Sequence, residues 1–293
     1  MKIWNFGDAL FTIIRKTLGS ASALLIAWGA ALLAMPIVQW AAGHPSLIAD
    51  VILGVLLQAS LVILFLTHAA GLRRATLVVI TVVAASWAFE ALGSKTGVPF
   101  GAYHYTEALQ PQLLGVPLLI PLAWLMMLPP AWAVAQRITG RRSGLAFVAI
   151  SALAFTAWDL YLDPQMVHWG LWVWDAPGAY FGIPLVNFAG WLLVSALITV
   201  GIRPPALPDS PLVVIYALTW LIEMVGQIVF WRFYGPALCG FIGMGAFAVW
   251  AWRRRDWGLG IASSQHVKYW AGRRGEAPER REVLGEDAGV DHS

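Results

Sequence analysis

The sequence predicts an all-α fold: a polytopic integral membrane helix bundle of about eight transmembrane helices, with a re-entrant or lid-like loop after the third. Three observations carry this. Of 293 residues, 59% are hydrophobic and 12% charged, with a mean hydropathy of +0.69; a soluble domain carries about twice that charge fraction. Apolar runs of about 20 residues, the length needed to span a bilayer, recur along most of the chain. Lysine and arginine collect between alternate runs, as in topology-setting loops.

In chain order, residues 1–16 are short and carry Lys2, Arg15 and Lys16. The first apolar run lacks a convincing small-residue cleavage site, so it reads as a retained span. Spans are expected over 18–42, 47–70, 75–93, 116–136, 143–163, 182–202, 211–233 and 235–252. Gly235-Pro236 leaves the last two a very tight turn. Glycines and prolines of 93–117 predict the lid-like loop, because irregular backbone at membrane depth must line a protein cavity. Short connections predict sequential neighbours packed antiparallel.

With the N-terminus cytoplasmic, the cytoplasmic side receives Arg73, Arg74, Arg137, Arg141, Arg142, Arg203 and Arg253 to Arg255. The outer loops receive Lys95 and Arg232. Both termini are then cytoplasmic, in the cell membrane. The net charge of +3 is small and the arginines mark membrane ends, so no nucleic-acid partner is expected. Beyond Trp257 the chain mixes Arg, Glu, Gly and Asp with few aliphatics, predicting a transmembrane domain over 1–256 and a disordered cytoplasmic tail over 257–293. The single cysteine, Cys239, excludes an internal disulfide.

The most informative stretch runs from Trp158 to Met166 (WDLYLDPQM). Asp159 and Asp163 are four apart and share a helix face. Pro164 disfavours helical geometry at the residue before it, so the fifth helix is expected to stop at Asp163. That would leave two acids at the negative end of a helix, the wrong end for stability. Glu90 falls at the outer end of span three, and Glu223 and Gln227 in the outer half of span seven. Trp220, Glu223, Gln227 and Trp231 are spaced three, four and four, a helical stripe. Asn187 enters span six near Trp191. Tyr103, His104 and Tyr105 lie in the loop after span three, and Gln165 and His168 beyond the expected end of span five. An orientation drawn from Lys and Arg alone thus places the intramembrane acids and most loop aromatics toward the outer face. Intramembrane acids are functional candidates by default. Structural readings exist for each: Glu223 bonding a neighbouring helix, Asp163 capping local backbone donors, the tyrosines forming an interface belt.

The stretches EALGSKTGVPFGAYHY (90–105), LGVPLLIPLAW (114–124), AWDLYLDPQM (157–166) and GIPLVNFAGW (182–191) resemble the membrane carotenoid hydratases, a family of the bisanhydrobacterioruberin hydratase and γ-carotene 1',2'-hydratase type. The resemblance covers about residues 85 to 250. It implies carotenoid biosynthesis: addition of water to the terminal 1,2 double bond of an acyclic (ψ) carotenoid end group, giving a tertiary alcohol. The implied substrates are lipid-soluble carotenoids of the γ-carotene, lycopene or bisanhydrobacterioruberin type, with water and membrane lipid as further partners and other carotenoid-pathway enzymes as a partner class. No cofactor and no metal are expected.

An unactivated alkene calls for protonation to a tertiary carbocation and capture by water. Burial and a neighbouring like charge both favour the protonated form of a carboxyl, as that first step requires. Chemistry therefore proposes Asp159 as general acid, Asp163 or Glu90 as the water-orienting partner, and Glu223 as a rival acid. Trp158, Trp191, Tyr103 and Trp220 are candidates to stabilise the cation; Asn187, Gln165 and Gln227 to hold water; His104 and Tyr105 to border the substrate. Two other classes stand beside this. One is a carboxylate–histidine, metal-dependent desaturase or hydroxylase of a lipid, although no Glu-x-x-His pair is present. The other is a proton-coupled transporter with buried acids as relays.

Overall fold

The computed structural model describes residues 20–42 and 47–254. The expected tail (257–293) and the basic residues before Ser20 lie outside them. The described elements are α1 (Ser20–Ala42), α2 (Leu47–Ala70), α3 (Leu72–Thr96), β1 (Tyr103–Tyr105), β2 (Gln112–Leu113), β3 (Val116–Pro117), α4 (Leu119–Thr139), α5 (Leu145–His168), β4 (Trp172–Trp174), α6 (Leu185–Ile202), α7 (Asp209–Val229) and α8 (Tyr234–Arg253). Among the described residues, the seven helices α2 to α8 are long and apolar enough to cross a membrane, and α1 contributes a shorter apolar stretch, Ala23–Val38. The protein is a multi-pass, all-α membrane bundle. α4 is its central post, packed against α2, α3, α5, α7 and α8.

The helix ends fall within four residues of the expected spans except where proline misleads. α5 does not stop at Asp163 but runs through Pro164 to His168. A proline cannot donate to the carbonyl four residues back, here that of Leu160. The Tyr180 hydroxyl donates to that carbonyl instead, at 2.9 Å. Asp159 and Asp163 therefore sit inside the helix, away from its terminal dipole. α4 uses the same device. Pro130 frees the carbonyl of Met126, and Gln58 of α2 donates to it at 3.3 Å while accepting the Trp28 indole N–H at 3.1 Å. In hydrocarbon a freed carbonyl must find such a partner. Gly235 and Pro236 lie in the first turn of α8, where proline is tolerated; the chain reverses over residues 230–233 instead.

The segment between α3 and α4 is the lid-like loop. β1 pairs antiparallel with β4, Tyr103 opposite Trp174 and Tyr105 opposite Trp172. This ribbon joins the ends of α3 and α5. Thr106 fastens it through its hydroxyl to the Gly170 carbonyl at 2.7 Å. Phe100 is buried between two glycines: a Cβ on Gly93 would meet its ring at 2.6 Å and one on Gly190 at 2.7 Å. The missing side chains let the loop settle between α3 and α6. At the opposite end, Arg74 donates to the Ile202 and Arg203 carbonyls at 2.9 and 3.0 Å, and Arg137 to Ser210 at 2.9 Å.

Candidate active site

Beneath the ribbon lies an apolar chamber walled by α1 to α7 and roofed by β1 and β4. α2, α4 and α5 present stripes at helical spacing, such as Trp158, Leu162, Gln165 and Met166 on α5. The roof obeys a period of two. Tyr103, Tyr105, Trp172 and Trp174 face inward, while His104 and Val173 face out. His104 lies 3.3 Å from Asp175 on the exposed face and takes no part in the chamber. The alternations Tyr-His-Tyr and Trp-Val-Trp carry this signal in the sequence.

Three of the four expected acids converge. Asp159 is fully buried and Asp163 nearly so. The Asn187 amide, from the first turn of α6, donates to Asp159 Oδ2 at 2.8 Å and also to Asp163 Oδ2. The two carboxyls thus meet at one amide nitrogen, and Glu90 joins Asp163 in the chamber lining. Asp163 lines the chamber and accepts the Trp172 indole N–H at 3.1 Å. Asp159 lies behind it, outside the lining, with Oδ1 buried and unpartnered.

Glu90 is held by three donors. Trp124 reaches Oε1 at 2.9 Å, Tyr105 reaches Oε2 at 2.8 Å, and the Tyr103 hydroxyl donates to Oε2 as well. Burial, and then the Glu90 charge, push both phenols well above the ordinary tyrosine range, so they remain O–H donors. Trp124 stacks on Trp191 at 4.8 Å, and Trp158 meets Trp191 edge-on at 6.0 Å. The acids thus open onto an aromatic box. Trp124, Trp172 and Trp174 complete it; Trp172 and Trp174 belong to the outer-loop tryptophans that the sequence reads as half interface belt and half pocket wall, whereas Trp124, inside an apolar run, reads as packing.

The stripe expected on the seventh span divides. Glu223 lines the chamber with Oε2 buried and unpartnered. Gln227 turns to α5, donating to the Tyr161 carbonyl at 2.9 Å and to Gln165 Oε1 at 3.1 Å. Trp220 turns to α8, donating to the Phe241 carbonyl at 2.9 Å and stacking on that ring at 5.0 Å, so it is a packing residue away from the chamber. Trp231 lies past the end of α7, its ring over Gly226. His168 ends α5 with its ring against Phe233. Among the described residues, no three His, Cys, Asp or Glu side chains are grouped to hold a metal ion.

A multi-pass bundle enclosing an apolar, aromatic-walled chamber with clustered carboxyls defines a membrane protein with an interior site for a lipid-soluble ligand. The chain belongs to the carotenoid biosynthesis protein family, whose model matches residues 50–246 and so takes in every residue of the chamber beyond α1. It is 34% identical over 124 residues to bisanhydrobacterioruberin hydratase from Haloarcula japonica. That alignment spans 41% of this chain and 42% of the relative, less than half of either. No solved structure matches the chain.

Proposed function

We propose that this protein is a carotenoid hydratase, adding water across the terminal 1,2 double bond of an acyclic end group to give a tertiary alcohol. The observation that carries the reading is the Asp159–Asp163 pair, joined by Asn187 and opening through Asp163 onto an aromatic chamber. Two carboxyls this close share a proton rather than both ionise. Asp163, which lines the chamber, hands that proton to the alkene; Asp159, to which the sequence alone gave this role, is its partner behind the wall. Glu90, saturated by donors, is the fixed negative charge that balances the cation, and the faces of Trp158, Trp191 and Trp124 border it. Membership of a carotenoid family and the hydratase name of the Haloarcula japonica relative support the substrate class.

The protein sits in the cell membrane with both termini cytoplasmic and the chamber toward the outer face. Support comes from the arginines at the helix ends remote from the chamber, against Lys95 and Arg232 at the near end. Reporter fusions at each terminus and at residue 177 test this: both termini should report as cytoplasmic and residue 177 as external.

Expression in hosts making lycopene or γ-carotene, with pigment masses measured, tests the reaction. One water gained per acyclic end group is expected. Unchanged pigment in both hosts, with the protein present in the membrane, overturns the reading for these substrates.

A further inference from the structure

Captured water must be held somewhere, and the side chains expected to hold it are engaged elsewhere. Asn187 is bound by both aspartates; Gln227 donates to Gln165 and the α5 backbone, and its remaining unpartnered oxygen belongs to a residue outside the chamber lining. Three chamber-lining residues instead carry buried polar atoms without a protein partner: Trp158 Nε1, Thr219 Oγ1 and Glu223 Oε2. Trp158 is 1% exposed and Thr219 4%, so neither atom has bulk water to turn to. Such unpaired groups are costly in a bundle interior and call for an occupant.

The three line the same chamber at a similar depth along α5 and α7. Thr219 and Glu223 are four apart on one face of α7. α5 and α7 are pinned in register by Tyr216 donating to the Ala154 carbonyl at 2.8 Å and Gln227 to that of Tyr161 at 2.9 Å. Trp158 lies between those two α5 positions, and Thr219 and Glu223 between the two on α7. Their chemistry is complementary. An indole N–H only donates, a carboxyl oxygen accepts, and a threonine hydroxyl does either. A buried water asks for two to four such partners.

We propose that Thr219, Glu223 and Trp158 form the site of the nucleophilic water, on a different helix from the acid pair. The proposal rests on the hydratase reading. The acid pair's proton forms the C2–H bond with the π electrons, leaving the positive charge on C1. The water held on α7 forms the C1–O bond and releases one proton to Glu223. Exchange with solvent water returns that proton to the acid pair. H and OH are added, and nothing is oxidised or reduced.

Loss of the water site without loss of the acid has a distinct signature, because an uncaptured cation sheds a proton and reverts to alkene. The test uses membranes containing the full chain, lycopene as substrate, and D2O. Alcohol product and deuterium in recovered alkene are both measured by mass. In Thr219→Val and Glu223→Gln, hydration should fall by about tenfold or more, the worth of a buried hydrogen bond to a reacting group. Deuterium should still enter the alkene, and Thr219→Ser should restore hydration. Asp163→Asn should lose both. Should Glu223→Gln fail to accumulate, Thr219→Val and Trp158→Phe carry the same comparison. Wild-type hydration in these variants, or exchange falling in step with hydration, overturns the assignment. A wild-type protein that neither hydrates nor exchanges lycopene overturns the hydratase reading for that substrate, and the water site with it.

Discussion

Asn187 donates its side-chain N–H to Asp159 Oδ2 at 2.8 Å, so a residue in the first turn of α6 sets the position of an acid in the middle of α5. Its second N–H goes to Asp163. Both amide hydrogens are committed to the pair. Asn187→Leu keeps the branched outline of the side chain and removes both donors. Hydration should fall by about 10²-fold, the usual consequence of losing a preorganised donor at a reacting centre. Protein abundance in the membrane should be retained, and an immunoblot beside the pigment assay checks both.

Asp159→Asn and Asp163→Asn should each abolish hydration while leaving membrane insertion intact, because an amide has no acidic proton to deliver. If the two carboxyls work as one unit, the double variant should be no worse than either single one. Hydration rates in the three variants decide this. Full activity in Asp159→Asn would remove that residue from the proposed mechanism.

Glu90 links the roof to the wall: Tyr103 and Tyr105 come from β1, Trp124 from α4. Removing one donor leaves a buried oxygen short of a partner, at a cost of about 1–3 kcal/mol. Tyr105→Phe and Trp124→Phe should therefore lower the unfolding temperature of the detergent-solubilised protein. Glu90→Gln should slow hydration, since it removes the charge facing the cation while keeping an acceptor for the tyrosines.

The spans were legible in the sequence because composition and length suffice to specify them, and the acids were legible because a carboxyl in hydrocarbon has few reasons to be there. Pro164 misled because the rule for the residue before proline is local, whereas the partner that rescues Leu160, Tyr180, lies 20 residues away. His104 misled because the loop holding it contains a strand, and strand alternation turned it outward. Trp220 misled because helical spacing gives a face and not the neighbour that face meets. Thr219 was invisible: one threonine in an apolar span reads as neutral until its hydroxyl is found without a partner.

The two proline rescues make their own prediction. Tyr180→Phe leaves the Leu160 carbonyl unbonded, and Gln58→Leu does the same for Met126 while also freeing the Trp28 indole. Each should lower thermal stability by about 1–3 kcal/mol. Gln58→Leu should cost more, since it orphans two groups rather than one. Hydration per folded molecule should fall in Tyr180→Phe, because the α5 segment it supports carries Asp163. Thermal unfolding in detergent, paired with the pigment assay, separates the two effects.

Gly190 tests whether the loop seat matters to the site. A Cβ there would lie 2.7 Å from the Phe100 ring and equally close to the Pro99 carbonyl oxygen. The first contact is with a side chain and the second with backbone, so trimming Phe100 can relieve only one. Gly190→Ala should push the loop off α6, disturbing Tyr103 and Tyr105 and so the donors on Glu90. A loss of hydration with modest loss of stability is expected, because the rest of the bundle is untouched. Adding Phe100→Ala to Gly190→Ala should recover part of the activity at most, since the clash with the Pro99 carbonyl remains. Full recovery in the double variant would mean that the loop yields at Pro99, and that its seating on α6 does not govern the acids below.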